Sequence, residues 1–432
     1  MRIMNILKPI TGLGKNALLF ISGQTISRIG DMAQLVGLSM YVYKASNNIF
    51  AVSLLYAVEA LSMIIFGQIG GLLADKWERK RSLIILQVSQ ALLIALIPFA
   101  GRGALLYLLF FVFTACTSIS HIFQSAISGD VADTARYEKF QALYSSLQSF
   151  STIIGPVIGA WLFSSFGTTA LFVFNALSFL ICAATISLID SKEKTGAAQG
   201  VVEKAPPQEK GSIETTSVEP PKKTYIARWK DGYRIALANP DLAAIVFSMP
   251  IIMLGVGILN SIFIGISTDL WMFSDRQFGW LMGASGTGGL LGGLLYGSIH
   301  SKFSPKIFFY SGLATKSICL LVAAFTTNFF IVFVLFIFNS IGFSIIVSTS
   351  RIFFIKNTSP LERGRISGIA GSLASIAMLC GSSLSGFFVT YGGYRLSLGV
   401  IVVFHILCAL SFWIIGNKQI LTYREQWDKN LA

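Results

Sequence analysis

The hydrophobic pattern of this chain is a series of long apolar stretches separated by short polar segments. Each stretch has roughly 20 residues or more, which is the length that a helix needs to cross a bilayer. The twelve stretches cover residues 17–43, 49–73, 82–100, 104–127, 142–166, 169–189, 241–268, 277–298, 306–326, 328–350, 366–390 and 396–415. Helices of this length satisfy their own backbone hydrogen bonds in lipid. The pattern therefore predicts an all-α polytopic membrane protein.

Composition agrees with a chain that exposes little of its surface to water. Charged residues make up 12% and hydrophobic residues 54%, whereas a soluble domain carries roughly 25% charged residues. The five cysteines stand singly within predicted spans, at Cys116, Cys182, Cys319, Cys380 and Cys408. This spacing indicates neither a disulfide framework nor a metal site. The first apolar stretch is too long for a cleavable signal peptide.

The net charge of +13 is unevenly distributed. If the N-terminus faces the cytoplasm, the cytoplasmic segments hold 27 of the 33 lysines and arginines. The predicted outer loops hold only Lys44, Arg102, Arg276 and Arg395. This bias is the positive-inside rule, so it places both termini in the cytoplasm and argues against a nucleic-acid partner.

Several polar residues fall inside predicted spans. In the first span they form one helical stripe, made of Gln24, Ser27, Arg28, Asp31 and Gln34. A charge at this depth is costly unless it is paired or faces a polar cavity, so we expect the stripe to face the bundle interior. Arg28 and Asp31 either form an ion pair on one helix or take part in coupling or substrate binding.

The second and fourth spans add two titratable groups, Glu59 and His121. Burial favours the protonated form of a carboxyl group, which suits a group that carries protons. We therefore take Asp31, Glu59 and Arg28 as proton-coupling candidates, and Gln24 and His121 as cavity candidates. The alternative for Glu59 is a structural hydrogen bond, and for His121 it is a structural role as well.

A basic segment joins the second and third spans. It follows the pattern Gly-x-x-x-Asp-Lys-x-x-Arg-Lys at Gly71, Asp75, Lys76, Arg79 and Lys80. This pattern resembles the loop 2–3 signature of the major facilitator superfamily of transporters, although Glu78 stands where the family usually has glycine. The resemblance implies a cytoplasmic gate in which Arg79 reaches Asp130 and Asp75 meets the N-terminus of the eleventh helix.

The fifth span carries Gly155, Pro156 and Gly159, which resemble the Gly-Pro motif of exporters in the superfamily. Together with Ser27-Arg28-Ile29-Gly30-Asp31 and the segment Arg363–Gly368, they resemble its macrolide-efflux branch. The branch implies a bacterial plasma-membrane exporter of macrolides and other amphipathic drugs that works without a cofactor. Many drug/proton antiporters carry an arginine in the fourth span, and this chain has none there.

The organisation of the chain fits the same resemblance. Residues 191–240 are rich in Lys, Glu and Pro and read as a cytoplasmic linker with a short surface helix. They separate a six-helix bundle at 1–190 from a second one at 241–416, and residues 417–432 form a cytoplasmic tail. A degenerate copy of the basic segment, Gly297–Lys306, stands at the matching place in the second half. The expected architecture is therefore the major facilitator fold, with twelve transmembrane helices in two pseudo-symmetric bundles.

The function that these observations favour is secondary active export of amphipathic small molecules by a monomer, in exchange for protons. No Walker motif is present, and the glycine-rich eighth span is typical of membrane-helix packing rather than of a nucleotide site. We expect a transporter and not an enzyme. The alternatives are a dedicated exporter of a self-made metabolite, such as a siderophore or peptide, a lysophospholipid transporter, or a membrane receptor or scaffold.

Overall fold

The computed structural model describes residues 13–74, 76–101, 103–131, 136–190, 239–358 and 360–431, which form helices joined by short loops. The described residues contain ten α-helices, which are α1 Lys15–Ser46, α2 Ile49–Ala74, α3 Arg79–Leu96, α4 Ala104–Val131, α5 Tyr137–Ser187, α6 Pro240–Gly265, α7 Asp275–Ile299, α8 Pro305–Phe325, α9 Phe329–Lys356 and α10 Pro360–Leu431. A 3₁₀ turn, Ile97–Phe99, extends α3, and a π-helical turn, Ile266–Leu270, extends α6.

Two helices contain a glycine at which the chain turns back. Gly167 in α5 has φ 78° and ψ −175°, and Gly393 in α10 has φ 69° and ψ −179°. Glycine adopts a positive φ without the steric cost that a side chain would bring. Both glycines fall in gaps between predicted spans.

The contacts along α5 show the reversal of direction. They join Ser151 to Thr25 and Gly159 to Ala33 before the glycine, then Gly37 to Leu171 and Gly23 to Thr185 after it. The first segment of α5 thus runs parallel to α1 and the second segment runs antiparallel. In α10 the corresponding contacts with α6 join Ile366 to Val246 and Met378 to Gly257, then Tyr394 to Gly265 and Ile401 to Gly255. The described helices therefore contain twelve helical segments.

Eight helices of the described part are long and apolar enough to cross a membrane, and these include the two-segment helices α5 and α10. The helices α1 and α7 do not meet the same criterion. Their sequences give the reason, since α1 carries the polar stripe and α7 is rich in glycine. An all-helical, multi-pass membrane protein is confirmed, while the count of twelve spans stays a prediction.

The packing of the helices defines two halves, the described residues up to 190 and those from 239 onward. Within the halves, α1 lies against both segments of α5, and α6 lies against both segments of α10. The halves meet where α5 packs on α7 and where α2 packs on α10. The largest apolar cluster contains buried residues of both halves, for example Leu55 and Ile262. We call the end that carries the α2–α3 loop the basic end, and the opposite end the far end.

The two basic segments occupy equivalent places in the fold. Helix α2 ends at Ala74 and α3 begins at Arg79, while α7 ends at Ile299 and α8 begins at Pro305. When Gly71–Lys80 is aligned with Gly297–Lys306 without gaps, Arg79 is paired with Pro305. Both residues start a helix. Proline suits the first position of a helix because its missing N–H is not needed there.

The predicted linker at 191–240 lies outside the described residues, except for Asn239 and Pro240. The predicted surface helix lies outside them for the same reason. Beyond the predicted last span, α10 continues to Leu431. The division into two six-helix bundles with a linker and a tail therefore stays a prediction.

Candidate functional site

A cavity of about 350 Å³ lies among α1, α2 and α4. Most of its wall is apolar, and the larger side chains are Met32, Leu35, Leu38, Met63, Phe110 and Phe113. Helical spacing explains how α1 contributes, because Arg28, Asp31 and Leu35 follow one another at intervals of three and four residues. The polar stripe in the sequence therefore faces this cavity over part of its length.

Three charged side chains and a histidine line the same cavity, namely Arg28, Asp31, Glu59 and His121. The structure thus brings all three proton-coupling candidates together with one of the two cavity candidates. Arg28 and Glu59 come from neighbouring helices that the sequence alone cannot orient. The grouping of these residues is what a site for a charged or protonatable ligand requires.

The ion pair that could have neutralised Arg28 and Asp31 is absent. Among the described residues, ion pairs within 4.0 Å join other side chains, and none joins these two. The Oδ1 atom of Asp31 is buried and accepts no hydrogen bond. Asp31 therefore has an unused hydrogen-bonding position at the edge of the cavity. Leaving a buried polar atom without a partner costs free energy, which a ligand that donates a hydrogen bond to this atom would recover.

A hydrogen-bonded network lies one turn along α1 from Asp31. The fully buried Asn175 donates from Nδ2 to Gln34 Oε1, and Ser178 donates to Asn175 Oδ1 at 2.8 Å. Gly30 lies against both Asn175 and Ser178, where a Cβ atom would come within 2.3 Å of their side chains. The network holds α1 against the second segment of α5. Asn175 is not among the candidates predicted from the sequence. The feature that could have indicated it is a polar amide side chain within an apolar stretch.

The second cavity candidate, Gln24, is not among the residues that line the cavity. Its side chain is buried, and its Nε2 atom has no hydrogen-bond partner. The polar stripe therefore divides, because Gln24 and Ser27 are buried in helix contacts while Arg28 and Asp31 reach the cavity. Helical spacing placed all of these residues on one arc but could not say where the cavity ends.

The first two residues of α3, directly after the α2–α3 loop, contact the end of α4 and the segment just after α5. Arg79 Nη1 lies 2.8 Å from Asp130 Oδ2 at the end of α4, and Lys80 Nζ donates to Ile189 O at 2.7 Å. Lys76 is exposed, and Gly71 lies in the last turns of α2. Asp75 lies outside the described residues. The pair of Arg79 and Asp130 belongs to one half, so it does not itself bridge the two halves.

We expect Arg79→Gln and Asp130→Asn to have small effects on stability. Both side chains are about half exposed, and an exposed ion pair contributes about 0–1 kcal/mol. The unfolding temperature in detergent should fall by only about 0–1 °C, with Lys76→Gln as the control. A fall well above that range in either variant would show that the pair stabilises the fold more than an exposed contact can.

The motif in α5 lies between two other helices. Gly155 and Gly159 face α1, where a Cβ on Gly159 would lie 2.3 Å from Ala33 O. On the other side, a Cβ on Gly279 of α7 would lie 2.2 Å from Ala160 Cβ and 3.1 Å from Pro156 O. Small residues thus allow the backbone of α5 to approach closely the backbones of α1, in its own half, and of α7, in the other half.

The C-terminal half contains a buried polar group of its own. Lys316 is 4% exposed, its Nζ lies 3.4 Å from Asn339 Oδ1, and it stands 4.9 Å from the centre of the Phe343 ring. Nearby, Ser317 and the buried His405 Nδ1 lie 3.2 Å apart. Lys316 falls within the predicted span 306–326. These residues lie within the C-terminal half, apart from the cavity of α1, α2 and α4.

Comparison with known proteins identifies the family of this chain. The model of the Major Facilitator Superfamily matches residues 20–268 and 245–426. An uncharacterized MFS-type transporter of Bacillus subtilis, YfiS, is 24% identical over 95% of this chain and 95% of its own length. Macrolide efflux protein A of Streptococcus pyogenes is 22% identical over 90% of this chain and 94% of its own length.

Solved structures of similar fold are also transporters. The nucleoside transporter NupG, as its D323A mutant, has a TM-score of 0.72 at 13% identity and covers 92% of this chain and 99% of its own. A bacterial homologue of the human lysosomal transporter Spinster, in an inward-facing conformation, has a TM-score of 0.68 at 15% identity and covers 93% and 96%. At this level of identity the likeness concerns the fold.

Proposed function

This chain belongs to the Major Facilitator Superfamily, and from that premise we propose that it exports amphipathic small molecules by alternating access in exchange for protons. Its family and its relatives are membrane transporters and not enzymes. Alternating access in such proteins is largely the rocking of two related halves around a central site. The class of cargo, the direction and the coupling ion are the parts that we propose.

The observation that carries the proposal is the cavity that holds Asp31, Glu59 and Arg28 within an apolar wall. Two ionised carboxyl groups and one guanidinium have a net charge of −1. One further positive charge, from either a proton or a cationic cargo, therefore neutralises the site. Each carboxyl group can release its proton when cargo arrives and take one up when cargo leaves. The apolar side chains around them suit a cargo with a large hydrophobic surface.

The relatives support export rather than uptake. Macrolide efflux protein A is named for efflux, and the glycine and proline residues of α5 resemble the motif of exporters. We take macrolides and other drugs of the multidrug type as the first cargo to test. A siderophore or peptide made by the same cell, or a lysophospholipid, is the alternative cargo.

We further propose how the chain lies in its membrane. The positive-inside bias puts the basic end and both termini in the cytoplasm of a bacterial cell, with the far end outside the plasma membrane. All twelve helical segments then cross the bilayer, as two six-helix bundles joined by residues 191–240. The transporter works as a monomer, because each chain contains a complete cavity.

The experiment uses sealed inverted membrane vesicles with an acidic interior, reported by a quenched dye. Macrolides, cationic dyes, siderophores and lysophospholipids are added in turn. We expect one amphipathic class to restore the fluorescence as cargo enters and protons leave, with vesicles that lack the transporter as the control. A response to a siderophore or lysophospholipid alone would replace the drug-export proposal by the corresponding alternative. No transport of any cargo would favour a receptor or scaffold.

A further inference from the structure

A carboxylate at the far end holds tyrosines from both halves. Asp269 lies in the π-helical turn that extends α6, and its Oδ2 atom accepts a hydrogen bond from the hydroxyl of Tyr43 in α1. The same oxygen accepts from the hydroxyl of Tyr394 at 2.8 Å, and the two hydroxyls lie 3.2 Å apart. Tyr43 belongs to the N-terminal half, whereas Asp269 and Tyr394 belong to the C-terminal half. One carboxylate oxygen therefore joins the halves.

The neighbouring residue of α1 makes a second contact between the halves. Lys44 Nζ lies 2.5 Å from Asp275 Oδ2 and 5.3 Å from the centre of the Phe163 ring. Asp275 is the first residue of α7, where the positive end of the helix dipole favours a carboxylate. Because Tyr43 and Lys44 are consecutive, one movement of the end of α1 releases both contacts.

Two further polar contacts join the halves at the far end. Ser53 and Ser385 lie 2.6 Å apart where α2 meets α10. Arg276 donates to Ser164 at 3.4 Å and to Ser165 at 3.5 Å, where α7 meets the end of the first segment of α5. Among the residues that the structure describes, the hydrogen bonds that join the halves thus cluster at this end. Because they are polar, water can replace each partner when the halves separate.

From these contacts we infer that Tyr43, Asp269 and Tyr394, together with Lys44 and Asp275, form a lock that keeps the far end closed. The lock sets how often the transporter opens on that side. Helix α1 also links the lock to the cavity, since Asp31 lies twelve residues before Tyr43, or roughly 18 Å along the helix. A change of charge at Asp31 can therefore reach the lock through one continuous helix. The inference rests on the proposed function, because only alternating access needs such a lock.

The test measures hydrogen exchange by mass spectrometry on the full chain in lipid nanodiscs without cargo. We expect Tyr43→Phe and Asp269→Asn to speed exchange about fivefold in residues 42–50 and 266–276 at the far end. Residues 119–131 at the basic end should become more protected, because closing there accompanies opening at the far end. The matched control is Tyr107→Phe, since the Tyr107 hydroxyl donates to Ala51 O at 3.1 Å within one half.

The pattern of exchange separates the possible outcomes. Unchanged exchange in both variants would overturn the lock. Faster exchange at the far end without added protection at the basic end would also overturn it, because that result indicates local fraying. The measurement needs neither cargo nor a pH gradient. A lock that behaves as expected in a protein that transports nothing would therefore contradict the proposed function alone.

Discussion

Asp31→Asn and Glu59→Gln are each expected to reduce cargo-induced proton release to the background of vesicles without the transporter. An amide has the shape of a carboxyl group but can neither bind nor release a proton at neutral pH. Both side chains line the cavity. Asp31 Oδ1 has no hydrogen-bond partner, and the hydrogen bond of the Asp31 side chain with Asn175 is one that the amide oxygen of an asparagine can also accept. The loss should therefore come from chemistry and not from unfolding.

The measurement is the dye response of inverted vesicles to the cargo found for the wild type. Glu138→Gln serves as the matched control, because Glu138 is an exposed carboxylate at the start of α5. Unfolding temperatures of all variants in detergent report whether the fold is intact. If both cavity variants release protons as the wild type does, Asp31 and Glu59 are structural, and other groups carry the protons.

Gly159→Ala should lower the stability of the protein strongly for so small a change. Its Cβ atom would lie 2.3 Å from Ala33 O and 2.6 Å from Ala33 Cα. These are backbone atoms, so no side-chain rotation relieves the overlap and α1 or α5 must move. Overpacking of this kind costs about 1–3 kcal/mol, which for a chain of this length corresponds to a fall of about 1–4 °C in unfolding temperature.

The matched control is Gly289→Ala in α7, because a Cβ atom there meets nothing within 4 Å. Alanine favours a helix over glycine by up to about 1 kcal/mol, so this variant should be as stable as the wild type or slightly more stable. Equal unfolding temperatures for the two variants would show that the contact between α1 and α5 adapts. Impaired transport in Gly159→Ala is expected as well, because α1 carries Arg28 and Asp31.

The sequence predicted the helices of this fold well because the signal for a membrane helix is local. A stretch of apolar residues must form its hydrogen bonds within itself wherever it lies. Even the two reversals were visible as gaps between apolar stretches, near Gly167 and Gly393. Membership of the superfamily was likewise predicted from the basic segment at Gly71–Lys80 and is confirmed by the family match.

The candidate site was predicted less completely. Helical spacing placed Arg28 and Asp31 on one face, and the structure brings them into one cavity with Glu59 and His121. The same spacing suggested Gln24, which is instead buried away from that cavity. Asp269 was missed because the predicted span ended one residue before it.

The sequence by itself determined the helices of this protein, its multi-pass class, its family and the polar stripe of α1. Only the tertiary structure decided which polar groups meet, such as Asn175 with Gln34, and Asp269 with the distant Tyr43. The physical reason is that helix formation depends on neighbouring residues along the chain. The rotation and depth of one helix against another depend instead on the close packing of all their faces at once.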